Sequence, residues 1–370
     1  MPPLPDPISH TTEAIYRALA AKARQGDNRG VGMADAGNEC SRAIFYKLRW
    51  SAPLEEITGQ KERRFETGRR EETRLLDDLE AAGIEVERID PATGKQFTAE
   101  LASGWLRGKM DGRALGVPEA PKTVHVVECK SHSDKSFKEL LKHAPPGTAS
   151  ADIITENRTI KQLYEGILAL LKPFEEARDV VVEAIGSLQI GKSTGLHEGI
   201  RKSKPEHFAQ CQLYMHSQHL TRCLYLAVNK NDESLYSERI EYDVAFALAL
   251  EAKIERIAKS DRAPARLFED PTSKAAFKCS WCSARAQCHE GAFARVNCRT
   301  CLSADFRDGA EVWCSLKGVQ LSYDDQQRGC GEHKFLPDLV PGEQIDADPS
   351  QRTITYRLPS GETWIDGGAK

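Results

Sequence analysis

Residues 125–137 read HVVECKSHSDKSF. The apolar run predicts a strand, whose side chains alternate between two faces. Val124, Val126, Glu128 and Lys130 then share one face, and His125, Val127 and Cys129 the other. A half-buried strand fills its inner face with apolar groups. This one begins that way and ends in a carboxylate and an ammonium. Taken alone, the pair reads as a strand leaving the core with a solvated ion pair worth ~0–1 kcal/mol. The rest of the chain shifts that reading.

The chain has 370 residues, enough for one large domain or two to three smaller ones. Its 40% hydrophobic and 7% aromatic content supports a real core. A net charge of −4 argues against a broad basic surface and leaves room for a narrow basic groove. No apolar run approaches the ~18–20 residues of a membrane span. The opening MPPLPDPISH lacks the charged and apolar regions of a secretory signal. The expectation is a cytoplasmic chain with reduced thiols. Of its eleven cysteines, eight fall in a pattern that suits metal ligation rather than disulfides.

Local patterns give the organisation. A helix pattern lies around Ala14–Arg24, and VGMADAGNECSRAIFYKLRW leads through a turn into an aromatic-rich helix. RRFETGRREETRLLDDLEAAG reads as a helix with Glu72, Leu76 and Leu79 on one stripe and Gly83 as its stop. IEVERI, GKQFTAEL, GWLRGKM and TVHVVECK read as strands separated by turn residues. Residues 150–190 look helical, broken at Pro173. SKPEHFAQCQLYMHSQHL is a helix whose expected capping box is Ser203 with Glu206. RCLYLAVN and LYSERIEYD are strands, and YDVAFALALEAKIERIAKS is an amphipathic helix. From about residue 279 the chain is rich in cysteine and loops, and RTITYRLPSGETWID predicts a hairpin. This order predicts an α/β fold with a mixed central sheet flanked by helices.

Further positions stand beside Glu128 and Lys130. Asp111 precedes Gly112, which alone reads as a hairpin turn. Glu72 alone reads as a solvated helix acid, yet its stripe points inward, and a buried carboxylate needs a partner or a metal. Gln210 and Tyr214, four apart, stack on one helix face. Converging carboxylates suit a divalent cation, which can polarise a phosphoryl oxygen and activate a water. A lysine on the same face can act on that water or oppose developing charge.

In order, Gly68-x-x-x-Glu72, Asp111-Gly112, Glu128-x-Lys130 and Gln210-x-x-x-Tyr214 resemble the motifs of the PD-(D/E)XK nuclease superfamily. More narrowly they resemble its RecB-like exonuclease branch. The resemblance implies that Asp111 and Glu128 bind Mg²⁺ or Mn²⁺, with the backbone carbonyl of Cys129 as a further ligand. It makes Lys130 the catalytic lysine and Glu72 the first-motif ligand, where many RecB-like members carry His. Gln210 and Tyr214 would position DNA and the active-site groups. Met110 replaces the proline that usually precedes the aspartate, as is common in this branch.

Cys279, Cys282 and Cys288 form C-x2-C-x5-C, which turns thiolates onto one metal or cluster. Cys40 is the candidate fourth ligand. The set resembles that of iron–sulfur exonucleases, the CRISPR-associated family and the nuclease domain of AddAB, and implies a [4Fe–4S] cluster. Such a staple across so long a loop would be worth roughly 4–5 kcal/mol if it acted as a disulfide does. Zinc on the same ligands and unligated buried thiols are the alternatives. Cys298, Cys301, Cys314 and Cys330 suggest a small zinc ribbon, with His333 as alternative fourth ligand. That segment resembles the C-terminal extension of phage-type members, and free surface cysteines are the alternative.

The expected domains are therefore a nuclease core with its cluster over 1–297, a zinc-binding module over 298–345 and a hairpin tail over 346–370. Residues about 145–200 form a helical insertion in this scheme. The implied function is a metal-dependent DNA exonuclease in phage DNA recombination, repair or degradation, working in the host cytoplasm. DNA ends or single strands would be its substrate and recombination or replication proteins its partners, with no membrane. A structure-specific endonuclease and a non-catalytic DNA-binding adaptor are the alternatives. Lys109, Arg113, Lys135 and Lys138 could track phosphates or be ordinary solvated charge.

Overall fold

The computed structural model describes residues 10–23, 29–54, 56–144 and 199–367, so nearly all of the expected insertion lies outside the described residues. The chain opens with α1 (His10–Lys22), β1 (Val31–Gly32), α2 (Met33–Ala36), α3 (Ser41–Leu48) and α4 (Gly59–Ala81). Seven strands follow: β2 (Glu85–Glu87), β3 (Ile89–Asp90), β4 (Lys95–Gln96), β5 (Thr98–Leu101), β6 (Leu106–Lys109), β7 (Gly112–Leu115) and β8 (His125–His132). Next come α5 (Asp134–His143), α6 (Gly199–Ser203), α7 (Pro205–Gln218), β9 (Arg222–Asn229), β10 (Leu235–Glu241) and α8 (Val244–Lys259). The C-terminal part holds α9 (Arg285–His289), β11 (Ala304–Arg307), β12 (Glu311–Cys314), β13 (Val319–Gln320), α10 (Tyr323–Arg328), β14 (Glu343–Asp348), β15 (Thr353–Arg357) and β16 (Thr363–Asp366).

The strand quoted above is central, not half-buried. The sheet order is β10-β9-β8-β7-β2, with β8 and β9 parallel and the other pairs antiparallel. A parallel pair needs a long crossover, here carrying α5, α6 and α7. Both faces of β8 are covered. Val126, Cys223, Tyr225 and Ala227 pack with Phe208, Cys211 and Met215 of α7. Val127, Cys129, Leu224, Leu226 and Val228 pack with Leu75, Leu76 and Leu79 of α4. Each buried leucine there contributes roughly 1.5–3 kcal/mol. The strand starts at His125, so Val124 stands outside it, and it runs on to His132.

The α4 helix is stopped at both ends by local chemistry. The Thr58 hydroxyl accepts the N–H of Lys61 at 3.2 Å. Gly83 follows with φ +82, and the N–H of Ile84 reaches back to the carbonyl of Leu79. The expected capping box of α7 is not formed. Ser203 belongs to α6, where its hydroxyl bonds to Gly199, and α7 starts from Lys204 with Pro205 in its first turn.

GKQFTAEL divides at Phe97, because β4 pairs with β3 and β5 pairs with β6. The expected tail hairpin is β15–β16, but β14 joins it as a third strand and runs across the expected 345/346 boundary. The C-terminal part is also tied to the core. Trp105 stacks on Phe306 at 4.8 Å, and its indole N–H donates to the carbonyl of Arg307 at 3.0 Å.

Candidate active site

The first β7–β8 pair is Gly112 with Val127, so β8 continues through Glu128–His132 without β7 beside it. Asp111 stands at that divergence. Its carboxylate accepts the backbone N–H of Cys129 at 2.7 Å. Glu128 is 0% exposed; one oxygen is bonded to the Lys130 ammonium and Oε2 has no hydrogen-bond partner. Glu72 looks onto the same place from α4, where Asp111 and Lys130 act on its carboxyl.

These charges crowd one another. Burial pushes the Glu128 carboxyl up to about 8; Lys130 opposes this, while Asp111 and Glu72 reinforce it. Burial also raises Asp111, against Lys130 and the Cys129 N–H. Burial, then Asp111, raises Glu72. At Lys130 burial works the other way, but Glu128 and Asp111 outweigh it and hold the ammonium charged. The three acids act on one another, and one buried carboxylate oxygen of Glu128 is unsatisfied. As they lie, no three His, Cys, Asp or Glu among the described residues form a group that could hold a metal ion. Lys130 and the Cys129 N–H each occupy one carboxylate oxygen.

Gln210 and Tyr214 meet as expected. The Gln210 amide donates to the Tyr214 hydroxyl at 3.3 Å, which donates to the carbonyl of Lys109 at 2.6 Å. This ties α7 to the end of β6, just before Asp111. A Cβ on Gly108 would lie 2.6 Å from the Tyr214 hydroxyl, so only glycine permits that approach.

The basic residues divide. Arg113 bonds to Gln218 and lies over Phe97 at 4.3 Å, and Lys138 pairs with Asp134 at 2.7 Å. Lys109 and Lys135 are exposed.

Within each of the two predicted cysteine sets the thiols are near enough to act on one another electrostatically, but among the described residues neither set forms a group that could hold a metal ion. Burial raises the thiols of Cys279 and Cys282, and Cys40 and Cys288 act on both. Burial lifts Cys298 to about 11, with Cys330, Cys301 and Cys314 adding. His333 Nε2 lies 3.1 Å from the Thr300 hydroxyl.

Sequence reasoning missed a polar chain beside the site. His132, Tyr225 and His207 are linked by hydrogen bonds, with Ser136 and Lys204 beyond. Two signals lay in the sequence. His132 continues the period-two row of Glu128 and Lys130, and His207 precedes Gln210 and Tyr214 by three and seven.

The molecule is thus a mixed α/β protein with a carboxylate–lysine cluster at a strand divergence. No protein-family model matches the chain, and no curated protein matches it in sequence. Among solved structures it is similar to SSO0001 at 11% identity and TM-score 0.36, over 75% of this chain and 95% of that one. It is also similar to LHK-Exo, an alkaline exonuclease from Laribacter hongkongensis, at 12% identity and TM-score 0.31, over 66% and 90%. The dAMP complex of LHK-Exo gives 12% identity and TM-score 0.32, over 65% and 88%. Among the described residues no helix is long and apolar enough to cross a membrane.

Proposed function

We propose that this chain is a divalent-metal-dependent DNA exonuclease of the PD-(D/E)XK type. The observation that carries this reading is the meeting of Glu72, Asp111, Glu128 and Lys130 where β7 leaves β8, with Glu128 Oε2 buried and unpartnered. Glu72, Asp111, Glu128 and the Cys129 carbonyl would hold Mg²⁺ or Mn²⁺. The chemistry such an ion supplies is polarisation of a phosphoryl oxygen and activation of a water.

The chain's own groups have separate tasks. Lys130 is held as a cation, which suits opposing charge on the phosphoryl group better than removing a proton from water. Tyr214 fixes the end of β6 and so the approach to Asp111. Gln210 holds the Tyr214 hydroxyl. Exposed Lys109 and Lys135 remain available to phosphates; Arg113 and Lys138 have protein partners.

Two metal-thiolate sites belong to the same reading. Mutual proximity of Cys40, Cys279, Cys282 and Cys288 supports a [4Fe–4S] staple of the RecB-like iron–sulfur branch, with zinc as the alternative. Proximity of Cys298, Cys301, Cys314 and Cys330 supports structural zinc, and the Thr300 contact of His333 favours Cys330 as fourth ligand. A phage recombination or repair setting, in the host cytoplasm, completes the proposal by resemblance alone.

The test is digestion of end-labelled linear DNA with Mg²⁺ or Mn²⁺, beside circular single-stranded DNA and an end-blocked duplex. Loss of mononucleotides from free ends only, abolished in Lys130→Ala, is expected. Cutting of the circle would make the enzyme an endonuclease. Undiminished cleavage by Lys130→Ala would refute the site.

A further inference from the structure

The polar chain beside the site starts from a group that can only donate, and it admits an arrangement in which each member donates to the next. Its members lie on the site's own face: His132 follows Glu128 and Lys130 at period two on β8, and Tyr225 of β9 is the register partner of Glu128. His207 stands on α7 with Gln210 and Tyr214. The Lys204 ammonium is 2.7 Å from the Ser136 hydroxyl, which is 3.2 Å from His132 Nδ1. His132 Nε2 is 2.9 Å from the Tyr225 hydroxyl, and so is His207 Nδ1.

Lysine has donors only. Ser136 therefore accepts from Lys204, and its own proton can go to His132 Nδ1, 3.2 Å away. In that arrangement His132 carries its proton on Nε2 and donates it to Tyr225. The Tyr225 proton goes on to His207 Nδ1. That leaves the His207 proton on Nε2. In this arrangement every donor has one acceptor, and the sense runs from the lysine end.

We infer that this one-way chain fixes His207 as an Nε2–H donor aimed at a phosphate oxygen of the bound strand. The phosphate target rests on the nuclease reading; the proton's position does not. Two further observations agree. The His132 and His207 rings stack at 5.7 Å with 23° between planes, a rigid pair. Burial lowers both rings, to about 4 and about 3, so that each is neutral with a single proton to place, and Lys130 is among the charges acting on His207. A tautomer locked in this way gives a donor that needs no reorganisation on substrate binding. Lys204, Ser136, His132 and Tyr225 are positioning residues for it.

Histidine-selective ¹⁵N labelling of the full chain, read by long-range proton–nitrogen correlation, tests the chain without substrate. In the native protein both His132 and His207 should carry the proton on Nε2. Lys204→Met and Ser136→Ala should each release the lock, so that His207 shows Nδ1–H or a mixture. A native His207 protonated on Nδ1, or a tautomer untouched in both variants, overturns the inference.

Cleavage gives the functional arm. Glutamine can place an amide N–H near the imidazole Nε2 position, and asparagine near Nδ1. His207→Gln should keep kcat within a few-fold, and His207→Asn should lose about 10- to 100-fold, the worth of one hydrogen bond to a charged group. Equal losses would remove the donor role. If the native protein cleaves no DNA, the nuclease reading fails while the tautomer measurement still decides the chain.

Discussion

The Asp111 carboxylate holds the backbone N–H of Cys129 at 2.7 Å, spanning the point where β7 turns away from β8. One side chain thus closes a backbone donor and brings a negative charge to the site. The two roles separate by substitution. Asp111→Asn keeps an oxygen for the N–H and removes the charge. Its unfolding free energy should stay near that of the native protein while cleavage falls at least on the order of 100-fold. Asp111→Ala loses both and should cost a further ~1–3 kcal/mol in urea unfolding. Equal destabilisation by the two variants would show that the hydrogen bond carries no structural weight.

The carboxylate crowding predicts a stabilising ligand. A cation that binds the folded protein alone raises its melting temperature as its concentration rises. Mg²⁺ or Mn²⁺ should therefore raise the Tm of the native chain, and Glu128→Gln should abolish the shift without unfolding the protein. Differential scanning calorimetry against metal concentration reads this without DNA. A shift that persists in Glu128→Gln places the ion elsewhere.

The parts legible in the sequence are those with a short-range signature. Glu128 and Lys130 are set by strand alternation, Gln210 and Tyr214 by the helical turn, and Gly83 by the conformation a helix end requires. What escaped depended on distant partners. That β8 is covered on both faces follows from β9, nearly a hundred residues later, with α7 above and α4 below. The break at Phe97 follows from two different pairing partners. Ser203 and Glu206 have the spacing of a cap, but Pro205 starts the helix and Ser203 already ends another. The His132–Tyr225–His207 chain unites three elements: local spacing puts His132 and His207 in the rows of the site residues, but the Tyr225 that joins them comes from a separate strand.

Those histidines make stability depend on pH. Burial depresses His132 to about 4 and His207 to about 3 in the fold, against an ordinary value of 6.5. Between these limits the unfolded chain binds protons that the folded chain refuses. Their contribution is thus fully present above about pH 6.5 and drains away as pH falls toward 4. Each adds a slope of up to about 1.4 kcal/mol per pH unit in that window. The Glu128 carboxyl, raised to about 8, works in the opposite sense over the same window, so the test is differential: from pH 7.5 to 4.5 the native urea midpoint should lose ground against that of a His132→Gln/His207→Gln protein. An identical slope in the double variant would mean that these rings are not held neutral.

Arg299 joins the C-terminal part to the core, although it follows Cys298 in a cysteine-rich segment with no signal of burial. It is 0% exposed. Its guanidinium donates to the carbonyls of Arg29 at 2.8 Å and Leu48 at 3.1 Å and to the Gln326 amide oxygen at 2.8 Å. It also lies over the Trp50 ring at 3.8 Å. Leu48 ends the helix that begins after Cys40, and Gln326 lies in α10, so one planar fork braces the frames of both cysteine sets. A lysine offers one point of charge and cannot reproduce that fork. Arg299→Lys should cost ~2 kcal/mol and Arg299→Ala ~3–5 kcal/mol, because buried carbonyls lose their donors. The loss should appear as separation of the two parts: residues from about 298 onward should become sensitive to limited proteolysis while the core sheet persists by circular dichroism. A single cooperative transition at the native midpoint in Arg299→Ala would show that the joint is held by Trp105 and Phe306 instead.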